Sequence, residues 1–124
     1  MSARMVAIIS ALAVISLASA TEKKQQGRYL ATPLKGDYYV YGGTLSEMLP
    51  PSAKDRKVSF MVNGPLAKDL FNQIGPDTKH ACSVDASYHE RRKGDLVCIL
   101  DEDGYSCYLG LDVTTGKSTY GLIC

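Results

Sequence analysis

Residues 95–124 read DLVCILDEDGYSCYLGLDVTTGKSTYGLIC and contain three of the four cysteines of the chain. Turn-forming residues interrupt this stretch twice, and the segments between the turns are rich in strand formers. The pattern predicts a three-stranded antiparallel meander. The predicted strands are 95–100, 105–113 and 118–124, and the predicted turns are 101–104 and 114–117.

Counting across these turns places cysteines opposite one another. A four-residue first turn brings Cys98 opposite Cys107, and a four-residue second turn brings Cys107 opposite Cys124. Directly opposed residues are close enough to form a disulfide, but Cys107 can bond to only one neighbour. Cys82 then pairs with whichever cysteine remains.

Two connectivities are therefore open. We prefer Cys82–Cys98 with Cys107–Cys124 over Cys82–Cys124 with Cys98–Cys107. The third pairing, Cys82 with Cys107, is disfavoured because Cys98 would have to reach Cys124 across a strand. A shift of two residues at the second turn would remove the Cys107–Cys124 bridge without changing the face on which the cysteines lie.

The first 20 residues have the three parts of an export signal. Arg4 supplies a positive charge, residues 5–17 form an uncharged apolar run, and small residues occupy 18–20. The run is shorter than the roughly 20 residues needed to span a bilayer. We expect a signal peptide at 1–20, no membrane span after its cleavage, and a periplasmic or secreted protein. In an oxidising compartment, four cysteines indicate disulfides rather than a metal site.

Removal of Arg4 with the leader leaves 13 basic and 13 acidic side chains. A neutral chain has no general attraction for nucleic acid, so we expect no nucleic-acid partner. The remaining length suits one domain with a modest core. We assign 21–36 to a flexible lead-in and 37–124 to a single disulfide-stabilised domain, whose oligomeric state the sequence leaves open.

Two more strands and one helix are predicted upstream of the meander. Residues 57–62 alternate between apolar and polar, and 37–41 are rich in strand formers. Pro65 begins a helix that ends at Gly75, whereas Thr44–Leu49 suggests a single helical turn. The predicted fold is α+β, an antiparallel sheet of about five strands with one amphipathic helix on one face. The predicted core comprises Val58, Phe60, Val62, Leu66, Leu70, Phe71, Ile74, Leu96, Leu100, Leu109 and the cystines.

No pattern of catalytic or metal-binding residues stands out. No serine lies in a Gly-x-Ser-x-Gly motif, and His80 and His89 occur in a polar connection. The acidic run 101–103 lacks the other ligands of a calcium loop, and no Cys-x-x-Cys spacing occurs. We predict no catalytic residue, no metal and no cofactor. A hydrolase would need a cleft that brings a histidine to a serine or a carboxylate.

Three features suit contact with another protein. Tyrosines alternate between the two faces of strand 37–41, and tyrosine is favoured at interfaces. A rigid acidic hairpin tip and the three consecutive cations at 91–93, which follow Glu90, are the other two. We predict an exported non-enzymatic binding domain, most concretely an inhibitor or immunity-type protein acting on another exported protein. The alternative is a structural or assembly component of the cell envelope. The candidate partner-binding residues are Tyr38, Tyr39, Tyr41, Arg91, Arg92, Asp101, Glu102 and Asp103.

Overall fold

The computed structural model describes residues 30–124, so the predicted leader and most of the lead-in lie outside the described residues. Residues 33–124 form one compact unit, and the predicted α+β class is confirmed. Five of its seven strands have at least five residues, and there is one helix. In chain order these elements are β1 (Gly36–Gly43), β2 (Met48–Leu49), β3 (Lys57–Asn63), α1 (Gly64–Gln73), β4 (His89–Lys93), β5 (Leu96–Asp101), β6 (Gly104–Asp112) and β7 (Lys117–Thr119).

The strands form an antiparallel sheet in the order β2-β1-β3-β6-β5-β4, with β7 paired to β6 away from this path. β3 and β6 are central, and β4 lies at one margin. At the other margin, Gly36–Tyr41 of β1 pairs with β3 alone, while β2 pairs only with Gly42 and Gly43. Most of β1 is therefore a sheet edge.

The β5–β6 hairpin has the predicted register. Leu100 lies opposite Tyr105, and Cys98 lies opposite Cys107 with their Cα atoms 4.0 Å apart. These two cysteines form a disulfide. The preferred connectivity was wrong, because the second disulfide joins Cys82 to Cys124.

The second turn explains why Cys107 does not meet Cys124. Asp112, not Val113, is the last residue of β6, and it pairs with Lys117. The Asp112 carboxylate accepts hydrogen bonds from the amide and hydroxyl of Thr114, and its carbonyl accepts from the Gly116 amide at 2.8 Å. These bonds shift the register by the two residues that break the predicted bridge. β7 ends at Thr119, so the prediction of a strand over 118–124 is wrong for most of that segment. The tail after β7 instead brings Cys124 to Cys82.

α1 begins one residue before the predicted start and packs on the β5–β6 disulfide. Ala67 and Phe71 are buried against Cys98 and Cys107. Pro65 occupies the first turn, as predicted. The remaining partly buried apolar residues at this cluster are Leu70, Ile74, Leu96, Leu100 and Tyr105.

Three residues assigned to the core are exposed instead. Leu66 faces solvent, and so do Phe60 and Leu109 on the sheet. Phe60 and Leu109 are exposed because a ten-residue helix covers only one end of the sheet face. Leu66 is exposed because it is rotated about 100° around the helix axis from its buried neighbour Ala67. Alternation identifies which side of a strand is apolar, but it does not show whether another element covers that side.

Two segments differ from their predicted structure. Thr44–Leu49 forms a tight turn into β2 rather than a helical turn, although the Thr44 hydroxyl accepts a hydrogen bond from the Glu47 amide at 3.1 Å. β4 was missed altogether. Its sequence His-Glu-Arg-Arg-Lys has no apolar residue, so no alternation indicated a strand.

Candidate functional site

The sheet face that receives α1 is open to solvent beyond the helix. Cys107 lies under α1, and side-chain alternation places Leu109 and Leu111 on the same side of β6. The residues of β3 and β1 that pair with Leu109 and Leu111 lie on the same side of the sheet. This side forms two cross-strand rows, which we call the open apolar face: Tyr38, Phe60 and Leu109 in one row and Val40, Val58 and Leu111 in the next.

The open apolar face contains no charged side chain. Tyr38 exposes 68% of its surface, Phe60 37% and Leu109 38%. With aromatic and aliphatic side chains of this size, the exposed apolar area is on the order of 300 Å². A patch of this extent is comparable to the largest on a typical monomer, and such patches are often functional.

The other two candidate tyrosines point to the opposite side of the sheet. Tyr39 is exposed and lines a groove of about 340 Å³ between β1 and the C-terminal tail, where Ile123 forms part of the wall. Tyr41 is only 3% exposed. Burial raises the pKa of its hydroxyl, and nearby Lys57 opposes this only in part. The three tyrosines are thus divided among the open apolar face, the groove and the core.

The end of β1 beside Tyr41 is held by one polar cluster. Asp55 accepts a hydrogen bond from the Gly43 amide at 2.8 Å and forms an ion pair with Lys57. The Lys57 ammonium also donates to the Gly43 carbonyl at 2.8 Å. This ion pair lowers the pKa of the Asp55 carboxyl. The cluster anchors the edge strand that presents Tyr38 and Tyr39.

The acidic hairpin tip protrudes between β5 and β6. Glu102 and Asp103 form its exposed two-residue turn. The Asp101 carboxylate accepts a hydrogen bond from the Asp103 amide at 2.9 Å and so stabilises the turn itself. Within residues 30–124, Glu102 and Asp103 form no ion pair. The tip therefore presents two uncompensated negative charges on a rigid hairpin.

A depression of about 760 Å³ separates the tip from the start of α1. Asp103 borders it on one side and Lys68 of the helix on the other. Asn63, immediately before α1, contributes a buried side-chain oxygen that accepts no hydrogen bond from residues 30–124. The depression therefore lies between the acidic tip and the helix that bears Lys68.

Arg91 is ion-paired rather than free. Its guanidinium donates to the Asp77 carboxylate at 2.8 Å and to the Phe71 carbonyl at 3.0 Å, and it stacks 4.1 Å from the Phe71 ring centre. His89 contacts the other Asp77 oxygen at 2.8 Å. Arg91 and then His89 lower the pKa of the Asp77 carboxyl. Arg91 therefore connects the edge strand β4 to the helix.

Arg92, itself exposed, is paired with a buried glutamate that the sequence did not reveal. Its guanidinium donates at 2.6 Å to Glu90, whose residue surface is 1% exposed. The second Glu90 oxygen accepts from the Tyr88 hydroxyl at 2.7 Å and from the Cys82 amide at 3.0 Å. Glu90 thus organises the connection between α1 and β4. A glutamate beside two arginines and a lysine gave no sequence signal of burial.

The described residues contain no recognisable catalytic or metal-binding arrangement. His89 does meet a carboxylate, but Asp77 is also bound by Arg91, and no hydroxyl within residues 30–124 is hydrogen-bonded to either imidazole. The same residues contain no group of three or more metal-ligating side chains. The absence of catalysis remains a prediction.

Comparison with known proteins found no relative of this chain. No protein-family model, curated protein or solved structure matches the chain. Among the residues that the structure describes, no helix is long and apolar enough to cross a membrane.

Proposed function

We propose that this protein is an exported binding domain, of the inhibitor or immunity type, that engages another exported protein through the open apolar face. The observation that supports this proposal is the uncharged row Tyr38–Phe60–Leu109, exposed beside a helix that leaves it uncovered. A small domain gains little stability from an exposed aromatic row. Contact with a partner would remove this row from water.

The open apolar face by itself is too small for a stable interface. Two surfaces in contact across it alone would bury on the order of 600 Å² in total, below the roughly 1,000 Å² expected of a stable interface. The proposed partner therefore also contacts the polar surface around the face. An apolar centre within a polar rim is the usual organisation of such interfaces.

The hairpin tip gives the partner a second chemical feature. The strand spacing and the five residues from Leu109 to Gly104 place the tip roughly 20 Å from Tyr38. An interface of ordinary size spans that distance. Glu102 and Asp103 would then face basic residues of the partner. We propose a partner surface with an apolar or aromatic centre and cationic residues at one margin.

Export is supported by two independent features. The first 20 residues have the parts of a cleavable leader. Both pairs of cysteines are disulfide-bonded, which suits an oxidising compartment. The proposed setting is the periplasm or the exterior of the cell, where the partner is also located.

A pair of neighbouring tyrosines provides a matched test. Tyr38 and Tyr39 are both exposed and belong to the same edge strand, but only Tyr38 belongs to the open apolar face. The mature domain would be used to capture exported proteins of the producing cell, with identification by mass spectrometry. A partner retained by Tyr39→Ala but weakened about 30-fold by Tyr38→Ala would support the proposal, since a central tyrosine can contribute about 2 kcal/mol. Unchanged binding by Tyr38→Ala, or equal losses in both variants, would contradict it.

A further inference from the structure

The two disulfides differ sharply in their access to solvent. Cys98 and Cys107 are 0% and 1% exposed and lie beneath Ala67 and Phe71 of the helix. Cys82 is half-buried and Cys124 is exposed. A reductant in solution can therefore approach the second bridge without displacing the core.

The Cys82 sulfur lies beside a cation. One terminal nitrogen of the Arg92 guanidinium is 3.8 Å from Cys82 Sγ. Glu90 binds a different nitrogen of Arg92, and it binds Cys82 through the backbone amide rather than the sulfur. Arg92 is thus held with a donor directed at the sulfur. A cation in this position stabilises a thiolate and makes it a better leaving group.

We propose that Cys82–Cys124 is a site of thiol–disulfide exchange with a dithiol reductant of the oxidoreductase class, whereas Cys98–Cys107 is a permanent structural bridge. A thiolate of the reductant attacks the exposed Cys124 sulfur. The sulfur–sulfur bond breaks, and its electron pair leaves on Cys82 as a thiolate beside Arg92. The second thiol of the reductant then displaces Cys124. Two electrons pass to the cysteines, which take up two protons from the dithiol, and the reductant departs as a disulfide.

Exchange at this bridge would change the groove beside Tyr39. The C-terminal tail crosses the sheet on the side opposite α1, where the Gly121 carbonyl accepts a 2.6 Å hydrogen bond from Ser59. Leu122 and Ile123 line the groove beside Tyr39. Opening the bridge leaves the end of the tail held by these contacts alone. Reduction therefore loosens one wall of the groove while the open apolar face keeps its structure.

Graded reduction tests the difference between the bridges. The oxidised mature domain would be exposed to rising dithiothreitol, quenched by alkylation and mapped by peptide mass spectrometry. We expect Cys82 and Cys124 to be alkylated at least tenfold faster than Cys98 and Cys107. Simultaneous labelling of all four cysteines, or earlier labelling of Cys98 and Cys107, would overturn the proposal.

Two neighbouring residues isolate the contribution of the cation. Arg92→Gln removes the charge beside the sulfur, and Lys93→Gln removes an exposed charge from the next position of β4. We expect Arg92→Gln to slow reduction of Cys82–Cys124 about threefold, with Lys93→Gln unchanged. Arg92→Lys keeps the charge and should restore part of the rate. The unlabelled Cys98–Cys107 bridge reports that each variant is still folded. An equal or faster rate in Arg92→Gln would overturn the role assigned to Arg92.

NMR relaxation tests the consequence for the tail. After selective reduction, the backbone order parameters of residues 121–124 should fall, while those of β3 and β6 stay near the rigid-backbone value of about 0.85. Unchanged order parameters across 121–124 would show that the bridge does not restrain the tail, and would overturn the proposed change in the groove.

Discussion

The hydroxyl of Ser59 donates a 2.6 Å hydrogen bond to the carbonyl oxygen of Gly121, 62 residues further along the chain. Ser59 is buried in the middle of β3, and the bond is made by a polar side chain on the face opposite α1. It holds the C-terminal tail against the sheet independently of the Cys82–Cys124 bridge. Gly121 also packs closely on β6, since a Cβ atom at this position would lie 2.7 Å from the backbone of Leu109.

Ser59→Ala should lower the free energy of unfolding by about 1–2 kcal/mol, because the Gly121 carbonyl loses its partner in a buried position. Ser118→Ala is the matched control, since its 2.6 Å hydrogen bond to Asp95 is exposed and should contribute less than about 0.5 kcal/mol. Urea unfolding of both variants measures the difference. Equal effects would mean that the tail is not anchored through Ser59.

Glu90→Gln should destabilise the domain by about 2 kcal/mol at neutral pH. The substitution removes the carboxylate that binds the Arg92 guanidinium and replaces an acceptor oxygen by an amide nitrogen. Chemical denaturation measures the change. Tyr88→Phe, which removes one hydrogen bond and leaves the charge pair intact, should cost about half as much.

The stability of the protein should fall in acid, and Glu90 should contribute to that fall. Burial by itself raises the pKa of the Glu90 carboxyl, but hydrogen bonds from Cys82, Tyr88 and Arg92 bring it below its ordinary value. A lowered folded-state pKa stabilises the fold above the unfolded-state pKa, about 4.3, and this stability is lost as the pH falls through the folded-state value. The wild type should therefore lose more stability than Glu90→Gln between pH 6 and about pH 3. Parallel pH profiles for the two proteins would contradict the assignment.

Phe71→Ala should destabilise the domain by about 3–5 kcal/mol, because the ring fills the space between the helix and the Cys98–Cys107 bridge. The ring also packs against Tyr105, with centroids 5.4 Å apart. Leu66→Ala should cost less than about 1 kcal/mol, since Leu66 faces solvent on the same helix. Thermal unfolding distinguishes the two variants. A larger effect at Leu66 would mean that α1 packs on the sheet through its Leu66 side rather than through Phe71.

Charge reversal at the tip tests the margin of the proposed interface. Glu102→Lys with Asp103→Lys should slow association with the partner about tenfold at low salt, and less at high salt, because charges at an interface margin act mainly on the association rate. Asp101 is left intact because it closes the turn. Surface plasmon resonance at two salt concentrations gives the rates. Unchanged association would remove the tip from the interface while leaving the open apolar face to be tested separately.

Much of the fold followed from local patterns. Alternation identified β3, helical spacing and Pro65 identified α1, and the Asp101–Gly104 turn placed Cys98 opposite Cys107. In each case the signal lies within a few residues of the feature that it predicts. The candidate site was recovered less completely. Tyr38 was identified, but Phe60 and Leu109 were assigned to the core because no sequence pattern reports how far a helix reaches across a sheet.

The amino-acid sequence by itself determined the fold class, the helix and the register that places Cys98 opposite Cys107, because those depend on periodicity and on counting across a single turn. Only the tertiary structure decided which cysteines are bonded, the burial of Glu90 and the exposure of the Tyr38–Phe60–Leu109 row. These features join segments that are far apart in the chain. The partner of Cys124 depends on the side-chain hydrogen bonds of Asp112, because a two-residue change in register is enough to select a different cysteine. The exposure of the Tyr38–Phe60–Leu109 row depends on how far α1 extends across the sheet.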